Sequence, residues 1–216
     1  MRFEHTEVFN FDGALRGMRN PLNSWAKSDS KITWEYGEAP RYEIGPNDMN
    51  LAKRLIAGGT EHRKFLRQIM VSVDITAPLY WWKEFDTYKV GTTANSTSTM
   101  HKLASTPITL DCFETDDFDD NFEISEHYHF SDFVGIELIG TLETLRQKYN
   151  ETKDKRYWKE LIRWLPNGWL QTRTVTMNYE NLRSMYHQRE FHKLTEWHSF
   201  CDWVKTLPYA QELIID

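Results

Sequence analysis

Cysteine is scarce in this chain: Cys112 and Cys201 are the only two among 216 residues. Two thiols build neither a disulfide framework nor a four-thiolate zinc site, and they fit a reducing compartment. No apolar run approaches the ~20 residues of a membrane-spanning helix. The opening MRFEHTEVFNFDG lacks the basic and apolar regions of a secretory signal. The expectation is therefore a cytoplasmic protein without a membrane partner. Positive charge is also short, with 26 Lys and Arg against 32 Asp and Glu and a net charge of −6. Binding to extended nucleic acid draws on several cations at phosphates, so that class is excluded, while a local pocket for one small phosphate is not. A Gly-rich dinucleotide fingerprint, a phosphate loop and a serine-nucleophile motif are all missing. What is plentiful is aromatic: 12 Phe, 10 Tyr and 9 Trp, enough for a sizeable core and too many for a disordered chain. With no repeat and no long linker, residues 1–216 read as a single domain.

Residues 1–45 mix aromatics with turn residues (Phe11-Asp12-Gly13, Arg19-Asn20-Pro21, Gly37-Glu38-Ala39-Pro40) and read as an irregular or short-stranded edge. A helix opens at Gly45-Pro46-Asn47-Asp48, with Asn47 or Asp48 as cap, and ends at Gly58-Gly59. A second is expected over Thr60–Gln68. Ile69–Ile75 is the clearest strand, alternating Ser72 and Asp74 against apolar neighbours. Thr76-Ala77-Pro78 then turns into a helix from Leu79 to about Tyr88. Residues 111–126 form an acidic patch (Asp111, Glu114, Asp116, Asp117, Asp119, Asp120, Glu123, Glu126), read as a solvated loop. Helices follow over Asp132–Tyr149 and Lys155–Trp164, a strand over Trp169–Met177, and helices from Asn178 to about Lys193 and over Glu196–Lys205. Trp158, Trp164, Trp169, Trp197 and Trp203 read as core. Strands and helices do not alternate regularly, so the class is α+β.

Three groups of residues carry possible chemistry. Tyr88-Lys89 precedes Thr92, Thr93, Asn95 and Ser98; small residues with hydroxyls and a cation suit a phosphate, or a polar loop that caps its own turns. On the helix from Asn178, Arg183, His187 and Glu190 share a face beside Asn181 and Ser184; they suit an anion or ring heteroatoms, or a solvated surface. His127 and His129 share a strand face but lack a third ligand, so no metal is assigned. Cys201, among Phe200, Trp203 and Val204, reads as a buried structural thiol.

The first two groups together resemble a known pattern, that of the flavin-dependent thymidylate synthases. In that family a strand and an Ala-Pro turn lead into a helix ending in Arg-His-Arg, followed by a Ser-x-Asn-Glu-x-Ser-x-Arg loop. Here Ile69–Ile75 and Thr76-Ala77-Pro78 resemble the strand and turn, Thr87-Tyr88-Lys89 falls on Arg-His-Arg, and Thr93–Met100 falls on the loop. The family's second block, Leu-Pro and then Asn-x-Arg-Ser-x-x-(His or Asn), is similar to Leu165-Pro166 and Asn181-Leu182-Arg183-Ser184-Met185-Tyr186-His187. The resemblance implies a fold like that of the thymidylate-synthase-complementing proteins, with a small, mainly antiparallel sheet, and a homotetramer with sites shared between subunits. It also implies reductive methylation of dUMP to dTMP with FAD, NADPH and methylenetetrahydrofolate. By position, it implies that Lys89, Asn95, Asn181, Arg183 and His187 hold the flavin. It further implies that Thr93, Ser96, Ser98 and Arg163 hold the nucleotide and that Arg189 and His192 act at the uracil. The chain departs from the pattern at Thr87 and Tyr88 (Arg and His in the family), Ser96 (Glu), Met100 (Arg) and His192 (Arg). A guanidinium grips phosphate through a planar fork that Thr and Met lack. The alternative is a non-catalytic or repurposed relative that binds another nucleotide or a protein partner, with the acidic patch as contact surface.

Overall fold

A computed structural model describes residues 1–33, 41–119 and 121–216. The turn expected at Gly37–Pro40 and Asp120 of the acidic patch lie outside the described residues. Among the described residues eight strands run in chain order: β1 (Arg2–Phe9), β2 (Lys31–Thr33), β3 (Arg41–Glu43), β4 (Met70–Pro78), β5 (Thr93–Ser96), β6 (Glu123–Ser125), β7 (Tyr128–His129) and β8 (Leu170–Asn178). The main helices are α1 (Phe11–Arg19), α2 (Pro46–Ala57), α3 (Leu79–Phe85), α4 (Gly140–Thr152), α5 (Lys155–Arg163), α6 (Tyr179–Arg189) and α7 (Thr195–Lys205). One sheet has the order β1-β4-β8-β5. Thr76 pairs with Thr172 through their hydroxyls at 2.7 Å, and Thr174 donates to Asp74 at 2.5 Å. The pairing advances on one strand as it retreats on the other, so β4 and β8 are antiparallel.

The chain forms two compact units. The first comprises Met1–Arg2, Thr76–Thr87 and Asn95–Arg173; the second comprises Phe3–Ile75, Tyr88–Ala94 and Thr174–Asp216. In the first, Leu103, Ile108, Phe113, Ile139, Leu142 and Leu161 make the core under α4 and α5. Trp81, Trp82 and Phe85 of α3 are buried together with ring centroids 4.9–5.3 Å apart. In the second, α1 buries Phe11, Ala14, Leu15 and Met18, and the Phe11 ring meets Tyr42, Tyr179 and Tyr209 at 5.2–5.9 Å.

Several boundaries differ from the expectations. Residues 1–45 contain a full strand and a nine-residue helix. Most of β1 is exposed, so it shows little apolar alternation, and glycines interrupt α1. A Cβ at Gly17 would come within 2.7 Å of the Gln68 amide oxygen, which can swing aside. The cap of α2 is Gly45, not Asn47 or Asp48; Asp29 accepts from the Asn47 and Asp48 N–H groups instead, at 2.9 and 3.1 Å. Thr76-Ala77-Pro78 continues β4 rather than turning, α3 stops at Phe85, and the expected Thr60–Gln68 helix is a 3₁₀ segment at Arg63–Gln68. Trp164 is 65% exposed, so the tryptophan set is not uniformly core.

Candidate functional site

The helix α6 starts where the sequence places it. Asn178 Oδ1 accepts the Asn181 N–H at 3.0 Å and Asn181 Oδ1 accepts the Asn178 N–H at 3.3 Å, a reciprocal cap on two otherwise orphan donors. The Asn181 amide also donates to the Val90 carbonyl at 2.7 Å. That contact needs Gly91, whose φ is +77° and whose Cβ position lies 2.9 Å from Asn181 Oδ1. At the far end of α6 the Tyr88 hydroxyl donates to Gln188 Oε1 at 3.0 Å and accepts from Arg189 Nε at 2.8 Å. The Arg189 guanidinium lies 4.8 Å from the Trp197 ring and 5.5 Å from the Tyr88 ring, within cation–π range of both. Residues 88–91 thus run along α6 and are fastened at both of its ends, within one unit. We expect Gly91→Ala to release this fastening at a cost of about 1–3 kcal/mol, read as a lower urea midpoint and faster proteolysis between residues 88 and 94.

The sequence candidates of the second unit divide into engaged and exposed groups. Asn181 is committed to the cap and to Val90. Arg183 donates to the Ile214 carbonyl at 2.7 Å and reaches the Asp216 backbone oxygen at 3.5 Å; burial, and then the nearby Arg63, lower its pKa. Arg63 itself pairs with Glu180 at 3.0 Å. His192 accepts the Leu194 N–H through Nδ1 at 3.2 Å and packs 6.2 Å from Trp197. Lys89, Thr93 and His187 are exposed.

In the first unit, Asn95 and Ser96 are exposed on β5. Ser98 accepts the His101 N–H at 3.2 Å and bonds the His101 ring at 2.8 Å, so it caps the short turn Thr99–Lys102. The Trp158 indole of α5 donates to the Met100 carbonyl at 3.3 Å, but Arg163, later on the same helix, pairs with Glu160.

Two features escape the sequence reading. Arg173 lies 4.2 Å over the Trp82 ring, donating to Gln171 Oε1 at 2.9 Å and to Asp86 Oδ1 at 2.7 Å. It is one lone cation in a threonine-rich strand, and that isolation was its only signal. A groove of about 660 Å³ in the second unit is lined by Met18, Leu22, Leu55, Glu61, His62 and Lys64, among others, a size within the ligand-pocket range. The described residues hold no group of three His, Cys, Asp or Glu arranged for a metal. Cys201 is buried and its thiol is pushed up to about 11, chiefly by that burial, which makes it a poor nucleophile.

No family profile matches this chain, and no curated protein matches it. Among solved structures it is similar to flavin-dependent thymidylate synthase ThyX from Helicobacter pylori complexed with FAD and dUMP, at 16% identity over 100% of this chain and 99% of that one, with a TM-score of 0.68. A second structure of Helicobacter pylori ThyX with FAD and dUMP gives 18% identity, coverage of 100% and 98%, and a TM-score of 0.67. The likeness establishes the fold, an α+β arrangement of the ThyX kind.

Proposed function

We propose that this chain is a flavin-dependent thymidylate synthase-like enzyme that binds FAD and dUMP and methylates the nucleotide reductively, with methylenetetrahydrofolate and NADPH as co-substrates. The observation that carries this reading is the fastening of residues 88–91 along α6, on a fold similar to that of ThyX. Two sequence blocks some ninety residues apart meet in one unit. The donors present suit a flavin: Lys89 and His187 are exposed, and Thr93 offers a hydroxyl. FAD, once bound, would supply the redox chemistry. Around it, Lys89, Asn95 and His187 hold the cofactor directly, while Asn181 and Arg183 shape its bed through the bonds they make. Thr93, Ser96, Ser98 and Arg163 take the nucleotide, and Arg189 and His192 the uracil, in sites completed by the other subunits of a homotetramer. Lys89 would keep one positive charge beside the bound isoalloxazine ring.

The test is an absorbance spectrum of purified protein with and without added FAD, then NADPH oxidation with and without dUMP. Flavin bands and dUMP-dependent oxidation are expected. Arg189→Ala is expected to lower kcat/KM at least tenfold, because one charge-assisted hydrogen bond contributes about 1.5–3 kcal/mol. A preparation that stays colourless with FAD overturns the reading.

A second reading, a repurposed relative without turnover, has its own support. Thr87, Tyr88 and Met100 replace family cations, and Asn181, Arg183 and Arg189 are all engaged within the chain. It expects no flavin bands and no oxidation, with the fold intact by circular dichroism.

A further inference from the structure

Between Lys102 and Arg146 the sequence holds eleven Asp or Glu and no Lys or Arg. The same stretch contains an apolar surface that the core does not use. Ile139 and Leu142 face the core of the first unit, yet the helical run Phe133–Ile139 and α4 also present apolar groups on the other side. Ile136 is 69% exposed, Trp164 is 65% exposed, and Phe133 is 39% exposed. A helix apolar on both sides normally has both sides covered. Phe133, Leu138, Leu145 and Trp164 line a groove of about 420 Å³, and the polar groups in its wall are Glu137 and Thr141.

Phe133 in the groove wall is joined to the acidic segment by a chain of ring contacts. Phe133 packs on Phe130 at 6.2 Å, and Phe130 meets Phe122 and Phe118 at 6.0 and 5.5 Å. Phe122 and Ile124 are exposed beside Asp119, Glu123 and Glu126. The guanidinium beside Trp164, that of Arg163, is paired with Glu160, and Glu160 also accepts from the Trp164 indole at 2.9 Å. An apolar trough with Glu137 in its wall, in a segment rich in acids and without Lys or Arg, matches one kind of occupant best, a helix with apolar anchors one to two turns apart and Lys or Arg along its flanks.

We propose that this face of the first unit docks a basic amphipathic helix of a partner protein. The interaction is independent of flavin and nucleotide, so it survives or fails apart from the enzymatic reading. The test uses the full chain and fluorescein-labelled fifteen-residue Leu/Lys helical peptides read by anisotropy. The periodic Leu/Lys peptide is expected to bind saturably. Binding weakens at least tenfold for Ile136→Glu and severalfold in 0.5 M salt, because exposed charges are screened. A Leu/Glu peptide, and a Leu/Lys peptide with the same composition scrambled out of helical period, are expected not to compete. Trp164→Ser gives a second variant if Ile136→Glu fails to fold, with thermal melts to check both. Equal binding of the scrambled peptide, no binding of the periodic one, or no effect of a folded variant overturns the proposal. So does a sedimentation shift showing that either variant breaks an assembly of this chain, since the face then joins copies of itself. Binding of the unlabelled protein to phosphatidylcholine vesicles, lost in either variant, overturns it in favour of a lipid surface.

Discussion

Asp48→Ala should destabilise the second unit by about 3–5 kcal/mol, since it strands a buried guanidinium. Asp48 is fully buried and Arg19 is 4% exposed, with Arg19 Nε 2.5 Å from the carboxylate. The same carboxylate accepts from the Ser30 and Ser28 hydroxyls at 2.6 and 2.7 Å, and from the Ser30 and Asp29 N–H groups at 3.1 and 3.2 Å. Substitution therefore leaves a cation and four further donors without their acceptor, and it loosens the Asp29 carboxylate that binds the first turn of α2. The thermal midpoint should fall by about 10 °C or more. Burial raises the Asp48 pKa, but hydrogen bonds from Ser30, Ser28 and Arg19 outweigh it and leave the carboxyl below its ordinary value of 3.8. A depressed carboxylate stabilises the fold above its unfolded pKa and loses that contribution as pH falls through the folded one. Wild type should thus approach the variant's stability only in strong acid. A loss under 1 kcal/mol at pH 7 would mean that the network is not an important source of stability.

In the first unit Glu143→Gln should cost roughly 2–3 kcal/mol at pH 7 and flatten the acid limb of the stability profile. Glu143 is held near a pKa of about 2, first by the Arg146 hydrogen bonds, against the opposing effect of partial burial, and then by the Ile108 N–H and Gln147. Arg146 lies 2.6 and 2.7 Å from its two oxygens, and the Ile108 N–H lies at 2.9 Å. Relative to an unfolded value of 4.5, the shift corresponds to roughly 3 kcal/mol before discounting its partial exposure. The contribution is complete above pH 4.5 and disappears between about 4.5 and about 2. Urea midpoints at pH 7, 4 and 3 measure it; a variant that tracks wild type in parallel across that window would refute the assignment. Arg146 and Asn150 also donate to the Ala104 carbonyl at 3.1 and 2.8 Å, so some anchoring of residues 104–108 to α4 persists.

The elements that read cleanly in the sequence share one property: their information is local. Ile69–Ile75 alternates, Asn178 is a capping residue before a helix that buries Tyr179, Leu182, Met185 and Tyr186, and Leu165-Pro166-Asn167-Gly168 punctuates two elements. Each was found within a residue or three of its place. The strand β1 escaped because it is largely exposed and so lacks a one-sided pattern, and α1 because two glycines mask its Phe11, Ala14, Leu15 and Met18 stripe. Asp48 looked like a helix cap because a carboxylate near Gly-Pro is usually one. Nothing nearby in sequence announces that Arg19, Ser28 and Ser30 converge on it from 18 to 29 residues away.

The candidate site divides in the same way. Asn181, Arg183 and His187 could be selected from the sequence because their spacing matches a pattern, with Arg189 one helical turn out of register, and the ThyX-like fold was legible through that match. Which of them face solvent and which serve the fold was decided by tertiary packing: Val90 takes Asn181, Ile214 takes Arg183, and Tyr88 with Trp197 takes Arg189, across 31 to 101 positions where the bonds record it. Side-chain periodicity encodes burial, because burial depends on which face of a short element a residue occupies. A polar group's partner depends on which distant backbone arrives beside it, and only the assembled chain fixes that.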